Sequence, residues 1–147
     1  MSHVTHEPSL QRLIEFFEHL TPQRLTDIDS IYADLAGFKD PFNEVQGTPA
    51  IRAIFEHMFR SLHEPRFVVT GQVLQGDQAF LTWDFHFRFQ RFDTTTAQTI
   101  RGASHLVFGP DGRVTLHRDY WDAAEELYEK LPWVGGLMRW LKRRARQ

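Results

Sequence analysis

The side chains in this sequence best suited to chemistry are two carboxylates and an imidazole: Asp40, His117 and Asp119. His117, Asp119 and Trp121 fall on alternate positions, the spacing that places side chains on one face of a β-strand. Asp40 stands in the segment Phe38-Lys39-Asp40-Pro41-Phe42, where proline imposes a turn. A carboxylate shielded from water has its charged form disfavoured, and neighbouring charges shift it further. Such a group can abstract a proton beside a carbonyl, with His117 or Ser104 donating to the carbonyl oxygen. Each residue also has a plainer reading. Asp40 can bond the backbone amides of its own turn. Asp119 can sit in a structural ion pair with Arg101, Arg118 or His105, and His117 and His105 can be satisfied strand histidines. The other histidines (His3, His6, His19, His57 and His63) are scattered over the tail and helix surfaces. No His/Asp/Glu grouping has the close spacing of a metal motif. With no Cys there is neither thiolate chemistry nor a disulfide framework. The expectation is no metal and no cofactor.

The element that must position these groups is the stretch from Ala79 to Phe92. Leu81, Trp83, Phe85, Phe87 and Phe89 alternate with Thr82, Asp84, His86, Arg88 and Gln90, giving one dry face and one wet face. The wet face can meet water or a partner subunit. Ahead of it, Leu10, Leu13, Ile14, Phe17 and Leu20 recur at helical spacing after Pro8. Thr21-Pro22 reads as a cap opening a second helix with Leu25, Ile28, Ile31 and Tyr32 on its apolar stripe. Gly37 to Phe42 reads as a short strand. Thr48-Pro49 repeats the capping signal and opens a third helix bearing Ile51, Ile54, Phe55, Met58, Phe59 and Leu62. Strands follow at Phe67–Leu74, Gln98–Phe108 and Arg113–Trp121, the last two joined by the Gly109-Pro110-Asp111-Gly112 turn. Asp122 and Glu125 form a capping box for a short helix ending before Pro132. Three helices followed by a meander of strands predict an α+β fold, with helices stacked on one face of a curved, mostly antiparallel sheet.

A chain of 147 residues makes one domain, long enough to bury roughly 70% of its unfolded surface. The formal charge of −2 speaks against general nucleic-acid binding. The N-terminus has no apolar signal-peptide core, and no apolar run is long enough to span a bilayer. A soluble, cytoplasmic protein is therefore expected. Residues 132–147 are set apart by composition, with Arg139, Lys142, Arg143, Arg144 and Arg146 clustered near the end. Leu137, Trp140 and Leu141 oppose these charges on an amphipathic basic helix from about Val134 to Ala145. Its apolar side can pack on its own domain or on a dimer mate. The alternative is contact with an anionic membrane surface, anchored by Trp133 and Trp140.

The order of elements, together with Tyr32-Ala33-Asp34, the Asp40-Pro41-Phe42 turn, Gly47 before the third helix, Asp111-Gly112-Arg113 and Asp119-Tyr120-Trp121-Asp122, resembles the nuclear transport factor 2-like superfamily. Within it the chain is most similar to the branch of SnoaL-like polyketide cyclases and ketosteroid isomerases. The resemblance covers roughly Leu10 to Tyr128, assigns residues 8–131 to one domain, and implies a cone shape whose sheet and helices enclose a deep apolar pocket. It implies a pocket lined by Phe16, Tyr32, Phe38, Phe55 and Phe59 from the N-terminal half. Trp83, Phe85, Phe87, Ser104, Leu106 and Trp121 would line it from the strands, with Asp40 at the rim and His117 and Asp119 facing in. Ketosteroid isomerases carry a general-base Asp in a turn like that of Asp40, paired with an oxyanion hole of Tyr and protonated Asp. The matching positions here are Phe16, which donates no hydrogen bond, and Ser104, a weaker acid. Steroid isomerisation by that mechanism is therefore not expected. Arg118-Asp119-Tyr120-Trp121-Asp122 also resembles one end of limonene epoxide hydrolases, but the other two members of their Asp-Arg-Asp set would fall near Trp83 and Phe85. The resemblance implies a small hydrophobic ligand and a homodimer formed through the outer sheet face, with His86, Arg88 and Gln90. Two functions follow: a cofactor-independent isomerase, cyclase or hydrolase acting on an apolar carbonyl compound, or a non-catalytic ligand-binding or dimerisation module.

Overall fold

A computed structural model of the protein describes residues 5–90, 94–126, 140–141 and 143–145. It is an α+β fold. Helix α1 (Glu7–Glu18) leads through a 3₁₀ turn at Gln23–Asp27 into the single turn α2 (Ile28–Ile31) and strand β1 (Tyr32–Lys39). A short β2 (Glu44–Gln46) precedes α3 (Thr48–Ser61), and four strands follow: β3 (Leu62–Gln75), β4 (Gln78–Phe89), β5 (Gln98–Phe108) and β6 (Val114–Tyr120). A last short helix, α4, spans Ala123–Glu126. The six strands make one sheet in the order β2-β1-β6-β5-β4-β3. All neighbours are antiparallel except β1 and β6, which run parallel with Phe38 opposite His117.

The alternation in β4 sets the core. Leu81, Trp83, Phe85 and Phe87 are buried, while Phe80 and Thr82 on the other face are exposed. α1 contributes Leu10, Leu13, Phe16 and Phe17 to the same core, and α3 contributes Ile51 and Phe55. Burying each such side chain stabilises the fold by about 1.5–3 kcal/mol. α3 touches β1 and β2 at one sheet edge and β3 at the other, so the sheet curls round it. Register shifts within β3, between His63 and Arg66 and between Val69 and Gly71, help the bend, since an extra residue in one strand kinks it.

Several local expectations need correction. The second helix is a 3₁₀ turn plus one α turn, because Tyr32 leaves it with extended backbone and starts β1. The Thr21 hydroxyl accepts from the Arg24 amide at 3.2 Å ahead of that turn, whose N-cap residue is Pro22. Thr48 does not cap α3. The cap is Gly47, whose φ of 97° lies in the region glycine tolerates best, and whose carbonyl accepts from the Ile51 amide at 3.1 Å. His6 is no surface tail residue: it is buried at the head of α1 and stacks on Phe108 with ring centroids 5.4 Å apart. At the other end the Asp122 carboxylate accepts from the Glu125 amide at 3.1 Å, capping α4 as expected. The expected continuation of this helix to Pro132 lies outside the described residues. Trp140, Leu141 and residues 143–145 are helical. The rest of the basic helix expected over residues 132–147, Trp133 included, lies outside the described residues. Among the described residues no helix is long and apolar enough to cross a membrane.

Candidate functional site

The site grows from the pairing of β5 with β6. Ser104 stands opposite Asp119 and Leu106 opposite His117, all four turned toward the helices. The parallel neighbour β1 brings Tyr32 against His117, with their rings stacked at 5.9 Å. Across β4, Trp83 stands opposite Gly102. A β-carbon at Gly102 would come within 2.5 Å of the Trp83 ring, so glycine there lets the indole lie across β5. Its Nε1 thereby reaches Ser104.

One continuous hydrogen-bonded chain results. Trp83 Nε1 donates to Ser104 Oγ at 2.9 Å, and Ser104 Oγ donates to Asp119 Oδ1 at 2.5 Å. His117 Nε2 also lies 2.6 Å from Asp119 Oδ1, while His117 Nδ1 lies 2.6 Å from the Tyr32 hydroxyl. Proton positions follow from what each group can do. An ionised Asp119 only accepts, so a neutral His117 carries its proton on Nε2 and accepts from the Tyr32 hydroxyl at Nδ1. Burial, with the Asp119 charge adding to it, pushes the Tyr32 phenol well above its ordinary range, which keeps it a donor. Asp119 Oδ1 thus takes two hydrogen bonds, while its Oδ2 takes none among the described residues. The side chain is 16% exposed against 5% for His117, and the carboxylate forms part of a cavity wall.

That cavity has a volume of about 340 Å³. Of the residues named from the sequence, Phe38, Phe55, Trp83, Phe85, Phe87 and Trp121 line it, together with Phe42, Phe67, Phe89 and Met58, which sequence reasoning did not include. Its inner end narrows to about 30 Å³, room for one water, between Phe17, Leu13 and the Ser104–His117–Asp119 cluster, with Leu106 in the wall. Three predicted lining residues do not reach it. Phe16 is buried in the core, with the Arg24 guanidinium over its ring, and Phe59 is half-buried, packed against the core. Tyr32 is fully buried behind His117 and acts through it.

His117 and Asp119 are in contact; Asp40 shares the cavity with Asp119 but bonds neither of them. It is half-buried at the cavity mouth, where its Oδ1 accepts from the amides of Phe42 (2.8 Å) and Asn43 (2.7 Å) and from Asn43 Nδ2 (3.1 Å). This is the turn role available to any Asp before such a bend. The ion pairs considered for Asp119 are absent among the described residues. Arg101 pairs with Glu126 at 3.5 Å, Arg118 covers the Tyr120 ring, and His105 bonds Gln78 at 2.8 Å. Strand alternation sends Arg118 to the face opposite Asp119. Among the described residues no three His, Asp or Glu side chains are grouped to hold a metal.

Comparison with known proteins agrees with this fold. Residues 13–117 match the family model described as the SnoaL-like domain. A protein of unknown function from Burkholderia pseudomallei, described as nuclear transport factor 2-like, superposes with a TM-score of 0.70 at 16% identity, over 85% of this chain and 95% of its own. A putative SnoaL-like polyketide cyclase from Shewanella putrefaciens gives a TM-score of 0.67 at 18% identity, over 82% and 96%. An epoxide hydrolase from M. tuberculosis, described as like limonene epoxide hydrolase, gives 0.65 at 11% identity, over 82% and 81%. At such identities these neighbours show the fold alone. No curated protein matches the sequence. With the family model covering most of the chain and the same fold in all three neighbours, the chain belongs to the SnoaL-like domain family.

Proposed function

We propose that the protein is a cofactor-independent acid–base catalyst, in which Asp119 moves a proton at a carbon beside carbonyl groups of an apolar ligand. One observation carries this reading. The Asp119 carboxylate lies in the wall of an aromatic cavity with one oxygen held by Ser104 and His117 and the other unbonded among the described residues. Fixed donors on Oδ1 orient the carboxylate so that Oδ2 is the basic atom offered to a ligand. The Shewanella neighbour's description as a putative cyclase agrees with such chemistry.

The same network limits the substrate. The Ser104 hydroxyl and His117 Nε2–H both point at Asp119, so neither is left for a developing enolate oxygen. Preorganised donors are usually the largest single contribution to stabilising such charge. A substrate for this site must therefore spread the charge itself, as a carbon flanked by two carbonyls does. Benzoylacetone, an aromatic compound of this kind, tests the idea. The protein is expected to accelerate its keto–enol interconversion, followed by ultraviolet absorbance, and to leave acetophenone unaffected. Asp119→Asn, which still accepts both hydrogen bonds, should remove about a hundred- to ten-thousand-fold of the rate. Benzoylacetone that binds without any acceleration would instead establish the second reading, a non-catalytic ligand-binding module. The commitment of both donors to Asp119 is the observation that favours it.

A further inference from the structure

We propose that the mouth of the cavity is a cation subsite, where a protonated amine on the ligand sits between the Asp40 carboxylate and the rings of Phe42 and Trp121. This goes beyond the catalytic reading and does not depend on it. Asp40 makes no ion pair among the described residues, although it is only half-buried. Its Oδ1 is saturated by three N–H groups, but Oδ2 accepts only Asn43 Nδ2 at a long 3.2 Å. Negative charge therefore remains on an oxygen at the entrance. Phe42 and Trp121 stand beside it, edge to face with ring centroids 5.5 Å apart, and Phe42 is left 51% exposed. Aromatic faces carry negative potential, and a cation within about 6 Å of a ring centroid is attracted to them.

The surrounding charges point the same way. No Lys or Arg among the described residues lines this cavity, and its second carboxylate is Asp119. Lys39 and Arg118, paired in register, line an adjoining open cleft together with Asp40, Asp119 and Trp121, and each is engaged elsewhere. Lys39 lies 3.6 Å from Glu44, and Arg118 covers Tyr120. His57, also on the cavity wall, meets Ser61 at 3.3 Å. An ammonium in the cavity mouth finds both a counter-charge and ring faces.

The test uses three probes of one shape, naphthylethylamine, naphthylethanol and naphthylacetate, titrated calorimetrically at neutral pH. None needs proton transfer at carbon, so the result is independent of Asp119 chemistry. The amine is expected to bind on the order of tenfold more tightly than the alcohol. The acetate should bind more weakly than either, and added salt should narrow the amine's lead. Asp40→Asn keeps the acceptor that the turn requires and removes the charge; it should bring amine and alcohol to within about twofold, with alcohol binding unchanged. Phe42→Leu, at an exposed position, should cut the amine's lead severalfold while leaving the fold intact. An alcohol that binds as tightly as the amine, an amine preference that survives Asp40→Asn, or no binding by any probe would overturn the proposal. An amine preference in a protein that never accelerates benzoylacetone interconversion would uphold it while removing the catalytic reading.

Discussion

The Tyr32 hydroxyl lies 2.6 Å from His117 Nδ1, joining two residues 85 positions apart through a fully buried contact. Tyr32→Phe removes the donor and leaves a buried ring nitrogen without a partner. The expected loss is about 1–3 kcal/mol of stability, read from urea unfolding. Nitrogen NMR of His117 should show a single tautomer, protonated at Nε2, in both the wild type and the variant, because the Asp119 carboxylate fixes it.

The same phenol makes the protein sensitive to alkali. Its folded-state pKa is raised by burial and by the Asp119 charge, so the folded protein holds a proton that the unfolded chain releases. Stability from this group is complete below the ordinary tyrosine range near pH ~10 and falls as pH climbs toward the raised value, by up to about 1.4 kcal/mol per pH unit. Unfolding midpoints measured through this alkaline window should fall more steeply for the wild type than for Tyr32→Phe.

Gly102→Val should be poorly tolerated. A β-carbon there meets the Trp83 ring at 2.5 Å, and valine adds two methyl groups beyond it. Overpacking of this kind costs about 1–3 kcal/mol, so the melting temperature should drop. Displacing the indole from Ser104 should also change its fluorescence maximum.

Ser104 and Trp83 should prove coupled. Ser104→Ala takes away both the acceptor of Trp83 Nε1 and a donor to Asp119. Combining Ser104→Ala with Trp83→Phe should cost less than the sum of the two single changes. The expected difference is about 0.5–3 kcal/mol in a double-mutant cycle of unfolding free energies.

At Asp40 the turn and the charge separate cleanly. Asp40→Ala leaves the amides of Phe42 and Asn43 without their acceptor and should cost about 0.5–2 kcal/mol, the range for losing a comparable backbone cap. Asp40→Asn should be close to neutral for stability in the same urea titration.

The parts of this fold written in local pattern were legible in the sequence. The two-residue period from Leu81 to Phe87 marked the dry face of β4, and Gln98–Phe108 is the observed extent of β5. Tyr32 was harder to place. Ala33, Asp34 and Leu35 show no apolar alternation, and Leu35 is 74% exposed, so the first half of β1 carries no strand signal. The role of Tyr32 depends on a parallel pairing with β6, a contact between distant segments that leaves no mark in either one. For Asp40 the sequence offered a base and a turn residue equally; only the direction of the neighbouring amides shows which role its Oδ1 fills. The Ser104 hydroxyl was read as a donor to substrate because its type is visible in sequence and its aim is not.

Because β1 is flanked by the last strand as well as by its immediate successor β2, the reactive cluster has no half-made version. A ribosome must release β6 before Tyr32, near the start of the chain, has anything to hold. Any activity of this protein would then report the completion of the whole molecule, and a C-terminally truncated product lacking β6 would be inert.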